Sequence, residues 1–296
     1  MTAQPSTGPR AALRRAGFAF ALFPLVALLA PFVARERAWV SASGGETVLA
    51  APVPFDPEGV DLDQRLTPPG KRHFLGTDEL GRDVLARLLH GARLSVAAGL
   101  LASALALGLG ALLGSVAGWA GGRTDRAVLL LLQIVQALPA LVLVIAGAAF
   151  LKPSFLVAAL LIALTGWTDV ARLVRAGTSR LRNEAFVDAA RASGASDVRL
   201  LFVHVLPHAL PPALATLPYV LGSAVLTEAG LSFLGLGAPP PAASWGRALA
   251  EARNLLPGAW WCVLPPGLAL FLLVFSARRL GDAFLGRRGD VQSRVA

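Results

Sequence analysis

The chain has 296 residues, of which 55% are hydrophobic and only 15% charged, against about 25% charged in a soluble domain. With a mean hydropathy of +0.63 and its apolar residues gathered in long runs, it has too little polar surface to fold as a water-soluble globule. The 27 Lys and Arg outnumber the 18 Asp and Glu, for a net charge of +9. That excess is confined to one set of loops, which is the asymmetry of a membrane protein rather than the footprint of nucleic-acid binding.

Taken in chain order, Arg10, Arg14 and Arg15 precede an uncharged run over 16–34. The run exceeds the roughly 7–15 residues of a signal-peptide core, so it reads as an uncleaved first transmembrane helix. Residues 35–93 are rich in Pro, Gly and acids and read as an outward-facing segment. Its end, HFLGTDELGRDVLARLLHGAR (73–93), changes character. Thr77 or Asp78 can cap a helix there. Val84, Leu85, Leu88 and Leu89 would share one face, opposite Arg82, Ala86 and Arg87. Such a helix would lie along the membrane surface, or simply lead into the second span.

The second uncharged run, 94–122, carries Gly110, Gly114 and Gly118 four apart. This is a stripe that lets another helix approach closely, and it reads as packing rather than transport chemistry. Runs 127–151 and 153–168 give the third and fourth spans, the latter extending past Asp169, which should pair with Arg172 or lipid headgroups at the inner surface. The fifth, 200–227, is interrupted by Pro207, Pro211, Pro212 and Pro218, and the sixth is 254–277. A spanning helix needs about 20 apolar residues, so six spans are expected. Cys262, the only cysteine, excludes an intramolecular disulfide.

With six spans, the loops on one side hold 16 of the 27 cationic side chains and the entire net charge. Excess Arg and Lys mark the cytoplasmic face, which places both termini inside. The expected layout is a cytoplasmic tail 1–15, a first transmembrane helix 16–34, an extracytoplasmic segment 35–93 and a five-helix core 94–285. A loop at 177–205 lies within that core, and a cytoplasmic tail 286–296 follows it.

That loop is the most informative stretch. Asn183 can cap a short helix from Glu184 to Ala192, with Phe186, Ala189, Ala190 and Ser193 at near-helical spacing and Glu184, Asp188 and Arg191 on another face. Gly194 permits a sharp turn. Ser196 or Asp197 can cap a second helix, which should end at Pro207. A small-sided helix with one aromatic knob suits insertion in a partner's groove, though an ordinary solvated loop would show the same pattern. His204 and His208 have a chelating spacing, but Pro207 lies between them and no further ligand is adjacent, so a four-ligand metal site is not expected. Glu228, at the outer end of the fifth run, could meet a substrate's amine, or pair with Arg247 or Arg253.

From His73 to about Arg288 the chain resembles the permeases of the dipeptide/oligopeptide/nickel branch of ABC importers, most of all the second of their two paired subunits. The resemblance rests on four separated segments: residues 73–93 quoted above, GWTDVARLVR (166–175), EAFVDAARASGASDVRLLFVHVLPH (184–208) and LTEAGLSFLGLGAPPPAASWG (226–246). The third matches the family's EAA coupling loop, with Asp188 where that signature usually has glutamate. The resemblance implies an all-α integral membrane protein of the type I ABC-importer permease fold in a bacterial inner membrane. It also implies a second homologous permease, two cytoplasmic ATPase subunits and an extracytoplasmic solute-binding protein. It assigns ATPase docking to Glu184, Phe186, Asp188, Ala189, Ala190, Gly194 and Ala195. Cargo would be peptide, or alternatively nickel, an opine or an oligosaccharide.

The only lysines, Lys71 and Lys152, do not stand in a GK[ST] phosphate loop. ATP and its magnesium would therefore be handled by partner subunits, and this chain is expected to bind no cofactor and to perform no catalysis. An ion-coupled secondary transporter should show charges at broken helices near the midplane, whereas here charges cluster at helix ends. A membrane-embedded enzyme should show a cluster of catalytic side chains, and none is visible.

Overall fold

The computed structural model describes residues 9–34, 40–41, 47–49, 52–239 and 242–295. Among these, five helices are long and apolar enough to cross a membrane, and a bent helix pair makes a possible sixth. The first is α1 (Pro9–Val33). A small antiparallel ribbon follows, β1 (Val40–Ser41) on β2 (Thr47–Leu49), an addition to the all-helical expectation.

Residues 52–83 then fold into a compact loop that ends at α2 (Val84–Ala120). Here the structure departs from the sequence reading. Gly76 and Gly81 both adopt φ of +71°, a left-handed backbone that closes two turns and postpones the helix start. The cap is therefore Asp83, whose Oδ1 accepts the Ala86 N–H at 2.7 Å. Asp78 instead closes the preceding turn by accepting the Leu80 and Arg82 N–H groups. Of the two readings of residues 84–93, the structure shows the lead-in rather than the surface helix: they are the first turns of one 37-residue helix. Their polar face is covered: Arg87 is only 6% exposed and reaches Glu251 at 2.8 Å, as does Arg82 at 2.6 Å.

The third apolar run is bent rather than straight. It forms α3 (Gly122–Ala137) and α4 (Ala140–Phe150), which meet at 87°. The residue before a proline is driven out of the helical region, and Leu138, before Pro139, is extended at φ −104° and ψ 139°. Helix α5 (Phe155–Leu181) follows. It packs along α2 where Gly110, Gly114 and Gly118 face Trp167, Ala171 and Arg175, one residue per turn on each helix. A Cβ on Gly110 would sit 2.7 Å from the Trp167 carbonyl oxygen, and one on Gly118 would sit 2.5 Å from that of Arg175. The glycine stripe is a packing seam.

After the loop helix α6 (Ala185–Ala192), the chain enters α7 (Asp197–Arg199), a π-helical turn over Leu200–Val205, and α8 (Leu206–Phe233) without interruption. The second loop helix thus does not end at Pro207. A proline lacks the N–H for the usual bond four residues back and its ring crowds that carbonyl. The wider turn, in which the Leu206 N–H bonds Leu201 O, lets the helix continue. Then α9 (Trp245–Ala252) packs on α8, and α10 (Leu264–Val295) closes the bundle against α1 and α8. Helix α2 is central, touching α1, α5, α8 and α9.

Candidate functional site

Two features stand out: the short helix α6 and a cavity among α2, α3, α4, α5, α8 and α10. The first is built from its anchor outward. Val187 is fully buried and packs with Leu200, Val205, Trp119 and Leu181, joined by the half-buried Ala190 and Ala195. Val187 was missed in the sequence because the stripe was read one residue out of phase, through Phe186. The helix ends in a Schellman turn: the Gly194 N–H bonds Arg191 O at 2.9 Å and the Ala195 N–H bonds Ala190 O at 3.1 Å. Gly194, at φ +86°, supplies the left-handed residue that this turn requires.

Asn183 is not the cap. Glu184 occupies that position and its side chain makes no capping bond. On the far side, Ser196 does cap, accepting the Arg199 N–H. With Val187 facing inward, the side chains of Glu184, Phe186, Asp188 and Ala189 face out. Phe186 is 41% exposed and its ring lies 5.8 Å from that of His208. His208 turns its Nδ1 back to the His204 carbonyl at 2.8 Å, so the two imidazoles are not presented to a common ligand. Arg191 lies over the Trp119 ring at 5.9 Å, and Arg182 Nη1 donates to Trp119 O at 2.7 Å. These contacts fix the loop to the C-terminal end of α2, and the exposed face of α6 is left as a rigid, polar-rimmed knob.

Of the seven loop residues singled out by sequence, Ala190 and Ala195 prove to belong partly to the anchor. Gly194 makes the turn, and Glu184, Phe186, Asp188 and Ala189 form the exposed surface.

Glu228 is placed differently from expectation. It is 2% exposed, deep between helices, and its Oε1 accepts the Ser232 hydroxyl at 2.6 Å, with Ser95 of α2 close by. Neither Arg247 nor Arg253 reaches it, because Arg247 bonds Glu251 at 3.1 Å and the Ala238 carbonyl at 3.0 Å. Ser95 Oγ in turn accepts the Trp245 N–H at 3.3 Å, so Glu228 sits in a tie between α2, α8 and α9. It is not among the residues that line the cavity.

The cavity measures about 750 Å³. Its wall includes Gln136 beside the α3–α4 break, Thr165 and Asp169 on α5, Tyr219 and Thr227 on α8, and Arg278 on α10. Asp169 does not pair with Arg172, the first of the two partners (Arg172 or lipid headgroups) expected from the sequence. Gln136 stands between them, its amide 3.4 Å from Asp169 while its carbonyl accepts from Arg172. One turn further along α5, Arg175 pairs with Asp125 at 2.6 Å.

A helical bundle of this kind, with a cavity among the spans and a short helix held outside them, is the build expected of a membrane-embedded transport subunit. Residues 110–289 match the family described as binding-protein-dependent transport system inner membrane component, and the chain belongs to that family. Over 228 residues it is 41% identical to a putative peptide transport system permease protein of Brucella suis, covering 76% of each chain. It is 41% identical over 235 residues to the di/tripeptide transport system permease protein DppC of Pseudomonas aeruginosa, covering 77% of this chain and 78% of that one. With the oligopeptide transport system permease protein OppC of Bacillus subtilis it shares 37% over 215 residues, 73% of this chain and 70% of that one. In fold it resembles the MetNI methionine ABC transporter in inward-facing conformations, with a TM-score of 0.51 at 18% identity over 67% of this chain and 96% of that one. The chain is thus a permease subunit of an ABC importer, an inner-membrane component of a binding-protein-dependent system.

Proposed function

We propose that this chain carries di- and oligopeptides as one of two homologous permeases in an ATP-driven importer, each forming half of the translocation path. The permease pair works with two cytoplasmic ATPase subunits and an extracytoplasmic solute-binding protein. ATP and magnesium are handled by the ATPases, and this chain holds no cofactor of its own. Both termini and the α6 loop lie on the cytoplasmic side, where the cationic residues concentrate.

The observation that carries the reading is the construction of α6. One buried valine fixes the helix, while Glu184, Phe186, Asp188 and Ala189 stand out from it on a turn made rigid by Gly194. A knob of that shape docks in a groove of a partner. Peptide as cargo is supported by the names of the relatives at 37–41% identity.

Affinity capture of the tagged chain from gently solubilised membranes tests the assembly. The native protein brings down a second permease and ATP-binding subunits. Gly194→Trp, which distorts the turn, and Phe186→Ala, which removes the knob, lose the ATPases and keep the second permease. Uptake of a labelled dipeptide falls in parallel. A native chain that is recovered alone and still transports would overturn the proposal.

A further inference from the structure

The cavity presents two formal charges of opposite sign among its described lining residues, Asp169 on α5 and Arg278 on α10. Neither has an ion pair among the described residues. There Asp169 has one hydrogen-bond partner, the Gln136 amide at 3.4 Å. The nearby Arg172 guanidinium is occupied by the Gln136 carbonyl instead. On α10 the carboxylate one turn from Arg278 is Asp282, and it accepts the Tyr219 hydroxyl. Arg278 itself has no ion pair or hydrogen bond among the described residues.

Both side chains are exposed to the cavity, and an ionisable group on the wall of a cavity within a transmembrane bundle marks a substrate path by default. Two such groups of opposite sign on one cavity wall call for a ligand that brings both complements. Helix α8 lies between α5 and α10 and packs on each. The axes of α5 and α10 therefore stand at most about 20 Å apart, and the inward reach of the two side chains narrows the gap. What remains suits a short extended peptide at about 3.4 Å per residue. The wall between is neutral and mostly apolar, with the hydroxyls of Thr165, Thr227 and Ser223 set into it. It carries no charge that would select one cargo side chain over another.

We propose that Asp169 and Arg278 receive the two ends of a zwitterionic peptide, the carboxylate of Asp169 taking the terminal ammonium and the guanidinium of Arg278 the terminal carboxylate. The permease then reads the peptide's termini and leaves its side chains unread. This inference rests on the peptide reading of the cargo.

The test uses the whole importer in proteoliposomes with its binding protein saturated. The cargoes are a free dipeptide, its N-acetyl form and its C-terminal amide. Each rate is expressed as variant over wild type, so that the binding protein's own preference cancels. Asp169→Asn lowers transport of the free dipeptide and the amide about tenfold, the scale of one charge-assisted hydrogen bond, and changes the N-acetyl form little. Arg278→Gln lowers the free dipeptide and the N-acetyl form and spares the amide. As a second measurement, single reversals (Asp169→Arg or Arg278→Asp) block the free dipeptide, and the double reversal restores it.

Equal losses on all three cargoes, or wild-type rates throughout, would overturn the inference. So would loss of the second permease from the purified complex, since the charges would then belong to the contact between permeases. A wild-type importer that carries some other solute and no dipeptide in any form would instead show the cargo reading itself to be wrong.

Discussion

The seam between α2 and α5 gives the sharpest stability prediction. At Gly110 a methyl group would lie 2.7 Å from both the Trp167 carbonyl oxygen and Val170 Cβ, where ordinary contact begins at 3.4 Å. Relief requires a displacement of about 0.7 Å. Two of the three atoms in the way belong to Val170, whose β-branched side chain has little rotamer freedom, and the third is backbone. Overpacking of this kind costs about 1–3 kcal/mol, partly offset by up to about 1 kcal/mol of improved helix propensity. Gly108, half a turn away on the same helix, has nothing within 4 Å of its would-be Cβ. There the same substitution keeps the propensity gain without the clash. Gly108→Ala should therefore melt at or slightly above the wild-type temperature in detergent. Gly110→Ala should melt lower, about 5 °C below Gly108→Ala at the 2–4 °C per kcal/mol typical of chains near this size. Fluorescence-detected size-exclusion after a temperature series measures both. Equal melting temperatures for the two variants would refute the claim that close backbone approach, rather than composition, explains the glycine stripe.

Three further outcomes follow from the geometry. Phe186→Ala should leave the melting temperature within about 1 °C of wild type, because a surface truncation is worth within about 0.5 kcal/mol. Val187→Asp should lower it by several degrees by placing an unpaired charge among Trp119, Leu200 and Val205, and thermal melting of the two purified variants separates knob from anchor. Asp83→Ala removes the helix cap and the partner of His73 Nδ1 at 2.8 Å. It should cost about 2 kcal/mol and more than Asp83→Asn, which keeps a capping oxygen; the same melting assay ranks them. Pro139→Ala restores an N–H and frees Leu138 to become helical, so α3 and α4 should straighten from their 87° bend. Spin-label distances between positions 130 and 146 should lengthen, and unchanged distances would mean that packing, not the proline, sets the bend.

The spans and the loop helix α6 with its turn were legible in the sequence because each rests on a local signal: uncharged runs for the spans, and a Glu–Phe–Asp–Gly order for the loop. What escaped was mostly non-local. Arg82 and Arg87 read as a solvated face because nothing near them in sequence announces Glu251, more than 160 residues away, which draws both inward. Glu228 invited pairing with Arg247 for the same reason in reverse, since its real neighbours, Ser232 and Ser95, are uncharged and unremarkable in a sequence. The break at Pro139 was visible as a Leu–Pro step, but hydropathy averages over it. Pro207 was overweighted, because a π turn absorbs a proline that would stop a regular helix. Val187 shows the limit of periodicity in a helix of eight residues: two turns fix a stripe only to within one position.

Helix α2 has a mechanical consequence. Its 37 residues contain no proline and extend about 55 Å, nearly twice the roughly 30 Å of bilayer hydrocarbon. One end follows its Asp83 cap with Arg87 paired to Glu251, and the other presents Trp119 to Arg182 and Arg191 beside α6. The two faces of the membrane therefore share a single stiff lever. A tilt of about 5° about its midpoint displaces each end by about 2.4 Å in opposite directions. A push on the arginine-rich side thus arrives at the far surface as a sideways shift close to the width of a water molecule, carried by one unbroken element.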